Sequence, residues 1–410
     1  MTEMENGERL GKRLRRCWRF SVLVLIAVLY MVTVAKFYAL NSTRTLVMAL
    51  PKPSAPVQRA LEEAVIASTS PPPTKAPLRI QHPYYLQECY AYEDLRARFT
   101  CNDTDSFRNY SYENILECAS SLWEIIRDKS VPDPWGKPGS LPSPPPPPAT
   151  DAVAVSKRPS VHLVMAGDSH IRNIFEVFLR RIAGPRVKYR VAKMGPNEWK
   201  ASEDLFATWK SDAHEFFHEL ILLDGPLRIT FYWDPFLETL PQLLSSWTAG
   251  NGSKPTHLLI GSTLHYMQRT RSIFMKQGPK VASVQFSSHL KTISPQLEKF
   301  SNTTPVVFKL QDHLQKDPRN NVENPQNIDY YNQIASDLLP DSPFVVWNST
   351  VPLSDLYSEV CLRKGSVLPR TVDWRCDDVK HLGYIIIDQY LDMYLNDICC
   401  CFGKGGITMT

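Results

Sequence analysis

Net charge is nearly absent from most of this chain. Its 46 basic and 42 acidic residues leave a formal charge of +4 over 410 residues. Most of that excess sits in the first nineteen residues, where Arg9, Lys12, Arg13, Arg15, Arg16 and Arg19 outnumber Glu3, Glu5 and Glu8. The remainder is close to neutral, and nothing in it suggests a nucleic-acid surface. Internal repeats are also lacking, and so is a second long apolar run, so a multi-pass membrane protein is excluded.

One apolar run is present. No charged residue falls between Phe20 and Ala35, and the apolar character continues past Lys36 to Leu40. Residues 20–40 are long enough to span a thin bilayer, with Lys36 reaching back to the interface. The basic flank precedes the run, so residues 1–19 are expected to stay cytoplasmic and the rest to be luminal. A cleaved signal peptide is the alternative, but Phe37 and Tyr38 stand where a small-residue cleavage site would fall. The expectation is an uncleaved, single-pass type II anchor in the secretory pathway, most consistent with the Golgi.

Sequons and cysteines agree with that side of the membrane. Asn41, Asn102, Asn109, Asn251, Asn302 and Asn348 each open an Asn-x-Ser/Thr glycosylation sequon, and none precedes the apolar run. Cys17 lies at the membrane edge; the other eight cysteines follow it, as an oxidising compartment permits. Cys361 and Cys376 bracket a loop, and a bond between them would stabilise it by roughly 3 kcal/mol. The remaining pairings stay open.

Residues 41–82 are rich in proline, alanine, serine and threonine and read as an extended stem. Residues 83–130 form a segment with three cysteines and a helix over Tyr112 to Ile126. Residues 131–159 are proline-rich again, with five consecutive prolines at 144–148, and read as a loop or linker. From 160 to 398 short apolar strands alternate with helical spacing. Val161 to Ala166, His257 to Ile260, Pro305 to Phe308 and Pro343 to Trp347 read as strands, and Leu382 to Leu395 as a closing helix. Residues 399–410 form a cysteine-rich tail. The expected class is α/β, a three-layer fold with a central parallel sheet flanked by helices, preceded by a transmembrane helix and the stem.

Gly167-Asp168-Ser169 ends the first of these strands, and Asp378-Val379-Lys380-His381 lies far downstream, with His381 at 212 residues from Ser169. In a parallel α/β sheet, reactive groups gather at the carboxyl ends of strands. A serine opening a helix there, an imidazole and a carboxylate are the minimum set for acyl transfer through serine. Taken alone, Gly-Asp-Ser reads more readily as an ordinary turn with Ser169 as helix N-cap; the strand before it, the helix after it and the distant Asp-x-x-His reverse that and favour a site.

The two motifs resemble those of the SGNH (GDSL-like) hydrolases, and more closely their PC-esterase branch. There Gly-Asp-Ser-x-x-Arg comes early and Asp-x-x-His late, matched here by Gly167 to Arg172 and Asp378 to His381. The resemblance covers residues 160–398. It implies a serine-dependent acyl, chiefly O-acetyl, transferase or esterase acting on glycans. Ser169 would be the nucleophile, Asp378 and His381 its partners, and Arg172 the branch's arginine. No bound cofactor is implied; a transferase would draw on an acyl donor such as acetyl-CoA or an acetylated intermediate. Two departures stand out. Where typical relatives carry Gly-x-Asn-Asp, this chain reads Gly261-Ser262-Thr263-Leu264-His265, so His265 replaces asparagine as a candidate oxyanion donor. Gly195 is the candidate for the oxyanion glycine.

Three rival readings deserve weight. A non-catalytic glycan-binding or scaffold descendant would keep the fold and tolerate an altered oxyanion hole. His214-Glu215-Phe216-Phe217-His218 has the His-Glu-x-x-His form of zinc peptidases, but Ile221 occupies the glycine position of the extended motif, so it reads as a helix flank and no metal site is expected. Asp103-Thr104-Asp105 imitates the Asp-x-Asp of nucleotide-sugar glycosyltransferases, yet it overlaps a sequon outside the sheet region and reads as a solvated turn.

Overall fold

In a computed structural model the described residues are 83–101, 107–128, 161–194, 198–202, 214–223, 225–315, 320–339 and 344–400. The expected cytoplasmic tail, membrane span, stem and proline-rich linker lie outside them, as do Cys17, Asn41, Asn102, Asp103 to Asp105 and Gly195. No helix among the described residues is long and apolar enough to cross a membrane.

The chain begins with a hairpin, β1 (Tyr90–Glu93) and β2 (Arg96–Phe99), followed by α1 (Tyr112–Asp128). The main sheet is then laid down by β3 (Val161–Gly167), β4 (Val187–Val191), β5 (Lys200–Ala201), β6 (Phe217–Leu222), β7 (Leu227–Trp233), β8 (His257–Gly261), β9 (Val306–Lys309) and β10 (Phe344–Trp347). Its helices are α2 (Ser169–Ile182), α3 (Leu240–Thr248), α4 (Leu264–Arg269), α5 (Val284–Ser301), α6 (Pro325–Leu338), α7 (Val351–Lys364) and α8 (Tyr384–Cys400). Two short helices, Arg271–Gln277 and Pro279–Ala282, lie between α4 and α5.

Strand order is β10-β9-β8-β3-β7-β6-β4-β5. Five strands from β10 to β7 run parallel, but β6, β4 and β5 pair antiparallel. The sheet is therefore mixed and mostly parallel, a correction to the all-parallel expectation. The cause is local. Only residues 223–226 separate β6 from β7, too few for the crossover that a parallel pair needs. Strand β4, between β6 and the edge strand β5, shows the matching signature: Val187, Tyr189 and Val191 are buried, while Lys188 and Arg190 alternate outward.

Strand β6 overturns the helical reading of residues 214–218. Phe217 opens β6, so His214 and His218 do not stand one helical turn apart. His218 is buried against Phe175 and Phe231, whereas His214 packs on Trp233. No group of three or more metal-ligating side chains occurs among the described residues.

All seven residues of β3 are buried, as befits a central strand covered on both faces. Leu163 and Met165 face one apolar layer with α1, α2 and α8; Val164 and Ala166 face the other with α3, α5 and α6. Each large side chain so buried contributes about 1.5–3 kcal/mol. The segment 83–128 shares the first layer. Tyr85 lies 5.2 Å from Trp347, and its carbonyl accepts from the Asn348 and Ser349 amides.

Three disulfides join the described cysteines: Cys89–Cys101, Cys118–Cys399 and Cys361–Cys376. The last is the pair expected from the loop it closes. Cys399 lies inside α8, which continues past the expected end at Leu395. Among the sequon asparagines, Asn109, Asn251 and Asn302 are exposed. Asn348 is half-buried, its side-chain oxygen accepting from the Gln87 amide at 2.8 Å.

Candidate active site

The centre of the sheet is also its switch point: after β3 the chain fills one side, from the far strands back to β7, and then builds outward on the other from β8 to β10. At such a point the strand ends leave a crevice. Gly167, Trp233 and Gly261 end β3, β7 and β8 in register there. Gly167 is tightly constrained. A Cβ on it would lie 2.1 Å from the Gly261 carbonyl oxygen, and its φ is +154°. Gly261 gives clearance in turn, since a Cβ there would meet the Ile171 side chain at 2.8 Å and the Lys309 carbonyl at 3.0 Å. The two glycines let α2 start directly on the strand ends.

Asp168, not Ser169, caps α2: its carboxylate accepts from the His170 amide at 2.9 Å. Ser169 is thereby released from capping and stands in the first turn, where amide groups and the helix dipole favour negative charge. Its hydroxyl donates to His381 Nε2 at 2.9 Å, and His381 Nδ1 donates to Asp378 Oδ2 at 2.8 Å. The other Asp378 oxygen accepts from the Lys380 amide at 3.0 Å and the His381 amide at 3.2 Å. Burial pushes the Asp378 carboxyl up, but the hydrogen bonds and charge of His381, with the backbone amides, outweigh it and hold it at about 2. A serine, a base and an orienting carboxylate thus form one continuous hydrogen-bonded chain.

The turn carrying Asp378 is held from several sides. Cys376 is bonded to Cys361 on α7. The Arg375 amide donates to the Tyr357 hydroxyl at 2.8 Å, and the Gln315 amide donates to the carbonyls of Arg375 and Asp378 at 2.9 and 3.3 Å. Arg375 and Arg180 each stack on the Tyr384 ring, at 4.2 and 4.7 Å.

Trp233 gathers the other candidates. The Arg172 guanidinium lies 5.3 Å from its ring, and the His214 and His265 rings approach it at 5.1 and 5.7 Å. Burial lowers the pKa of both histidines; the positive charge of Arg172 lowers His214 further. His265 thus stands at this rim, whereas Gly261 serves helix packing and offers its carbonyl to the Asp168 amide at 3.3 Å.

Sequence reasoning overlooked Trp233, Gln315 and a buried polar cluster behind the nucleophile. In that cluster Lys309 pairs with Asp312 at 2.7 Å, Asp312 contacts His170 at 3.4 Å, and Gln311 contacts the same ring at 3.1 Å. Lys309 and Asp312 are essentially inaccessible. A signal for them existed: the polar run Lys309-Leu310-Gln311-Asp312-His313 follows an apolar strand at its carboxyl end.

No family model matches the chain. It is similar to the N-acetylneuraminate (7)9-O-acetyltransferase of Danio rerio, 28% identical over 185 residues, which cover 44% of this chain and 20% of that protein. The kinship is distant. The chain spans about a fifth of that relative's length. With the two motifs and the switch-point serine, this supports an SGNH esterase fold of the PC-esterase type. Solved structures with some likeness include a variant of the acetylxylan esterase Axe2 from Geobacillus stearothermophilus, 12% identical, covering 59% of this chain and 96% of that one with a TM-score of 0.33. Another is the lipase Lip_vut3 from a goat rumen metagenome, 14% identical, covering 60% and 99% with a TM-score of 0.31. At such scores these two likenesses carry no weight; the site's own geometry does.

Proposed function

We propose that this protein is a serine-dependent O-acyltransferase or esterase that moves or removes acetyl groups on glycan hydroxyls. The observation that carries the reading is the unbroken chain from Ser169 through His381 to Asp378. As the Ser169 oxygen bonds to the acyl carbon, its proton passes to His381 Nε2, and Asp378 stabilises the imidazolium. The carbonyl electrons move onto oxygen, where the Ser169 amide at the helix start is one donor to the oxyanion. Collapse breaks the bond to the leaving group, which takes the proton from His381. A sugar hydroxyl or water then attacks the acyl-serine by the same steps in reverse. Arg172 and His265 flank the mouth as substrate-contacting groups. The acetyl and sugar assignments draw on the similarity to the acetyltransferase of Danio rerio.

In this reading the protein is a single-pass type II Golgi protein with its site in the lumen. Three disulfides support a secretory route, and three exposed sequon asparagines suit it. The full chain, purified from a secretory expression host, should react with a fluorophosphonate probe. Labelling should vanish in Ser169→Ala and fall steeply in His381→Ala. Wild-type protein that never labels would leave a glycan-binding scaffold as the better account. Offering an acetylated glycan and, separately, acetyl-CoA with a free glycan then separates hydrolysis from transfer by the product formed.

A further inference from the structure

Segment 311–315, between β9 and residues outside the described set, touches both halves of the site. Gln311 is fixed first: its amide donates to the Asn332 side chain at 2.9 Å, and Asn332 returns a bond of 2.9 Å to the Gln311 carbonyl. Its own side chain and that of Asp312 reach the His170 ring, the residue after the nucleophile. His313 is clamped between Asp355 on α7 and Asp329 on α6, at 2.7 Å on each ring nitrogen. Leu314 is buried in the core. Gln315 then donates to the carbonyls of Arg375 and Asp378.

We propose that residues 311–315 act as a positioning strap, in which Gln311 and Asp312 seat His170 beside Ser169 while Gln315 fixes the Asp378–His381 turn. One rigid segment then sets the separation between nucleophile and base. Ser169 is fixed by strand and helix, but Asp378 and His381 lie on an irregular turn, where a shift of about 1 Å can cost on the order of 100-fold in rate. The disulfide and Tyr357 tie that turn to α7. Gln315 ties it to the end of β9, and so to the sheet that carries Ser169. Gln315 touches neither serine nor imidazole, so it is a positioning residue for the reaction proposed above and rests on that reading only for its rate arm.

The test uses Gln315→Met, which keeps length and loses both donors, Gln315→Glu, which keeps shape and loses them, and Gln315→Lys, which restores a donor. Two quantities are read in the full chain: the fluorophosphonate labelling rate and the downfield proton resonance of the His381 N–H that donates to Asp378. The strap predicts labelling slowed about tenfold or more in the Met and Glu variants, with the resonance broadened or lost. Both should return in Gln315→Lys, the rate to within about threefold. A resonance that is unchanged in Met and Glu, or absent from the wild type, overturns the strap. Wild type that shows the resonance yet never labels defeats the enzymatic reading instead, and the resonance still decides the strap.

Discussion

Replacing Asp378 with asparagine should leave the fold in place and nearly silence the serine. The carboxylate accepts three N–H groups, from the Lys380 amide, the His381 amide and His381 Nδ1. An amide has only one oxygen to offer. With that oxygen turned toward the backbone amides, its NH2 group faces Nδ1, and the imidazole must carry its proton on Nε2. Nε2 then points N–H at the Ser169 hydroxyl and cannot accept its proton. A wrong tautomer of this kind costs on the order of 10³- to 10⁴-fold, or about 4–5.5 kcal/mol of barrier. The assay is the second-order rate of fluorophosphonate labelling at pH 7, with Ser169→Ala as the zero and circular dichroism as the check on folding. A loss smaller than tenfold in well-folded protein would refute the argument, because Asp378 would then not set the tautomer. The same variant has a signature in stability. A carboxyl held at about 2 rather than 3.8 stabilises the fold above pH 4, and that contribution disappears as the pH falls from about 4 through 2. The side chain is 38% exposed, so screening limits the effect to about 1 kcal/mol. Asp378→Asn should flatten that part of the acid-unfolding profile.

Three further outcomes are expected. Burial alone would lower the His313 pKa, but Asp355 and Asp329 raise it to about 9 against an ordinary 6.5. Its contribution of roughly 1–3 kcal/mol is complete below pH 6.5 and lost as the pH rises through 9, so urea unfolding at pH 6 and pH 9.5 should differ in wild type and not in His313→Gln. Removing the disulfide with Cys361→Ser and Cys376→Ser should cost about 3 kcal/mol and slow Ser169 labelling; an unchanged rate would mean the turn is held without it. Lys309→Met strands the Asp312 carboxylate in the interior, where burial opposes its charge and Lys309 compensates. Such a loss typically costs about 3–5 kcal/mol, and a thermal midpoint equal to wild type would contradict the pairing.

Much of this arrangement is legible in the sequence. Strand β3 is apolar throughout because both faces are covered, and the helical spacing of Ile171, Ile174, Phe175, Phe178, Leu179 and Ile182 marks α2 plainly. The pairing of serine with the distant histidine was expected from the two motifs and the resemblance they carry, and the structure brings the two side chains together. What escaped was set by tertiary context. Residues 217–222 carry no strong period, and the two histidines at helical spacing suggested a helix that pairing with β7 overrides. From the sequence Ser169 reads as a cap, but the extended backbone of Asp168 makes it the N-cap, with its carboxylate on the His170 amide, and Ser169 is already the first helical residue. Gln315 gave no local sign, since its partners lie 60 and 63 residues away.

The bond between Cys118 and Cys399 joins residues 281 apart, so the polypeptide from α1 to the last turns of α8 is a covalent ring enclosing every strand of the main sheet. A single protease cut anywhere inside that ring yields no separate pieces until a reductant is added. Force applied at either end of the ring is borne by the sulfur link before it reaches the sheet. For a protein proposed to work along the secretory route, the machinery between those two cysteines stays in one molecule even after it has been nicked.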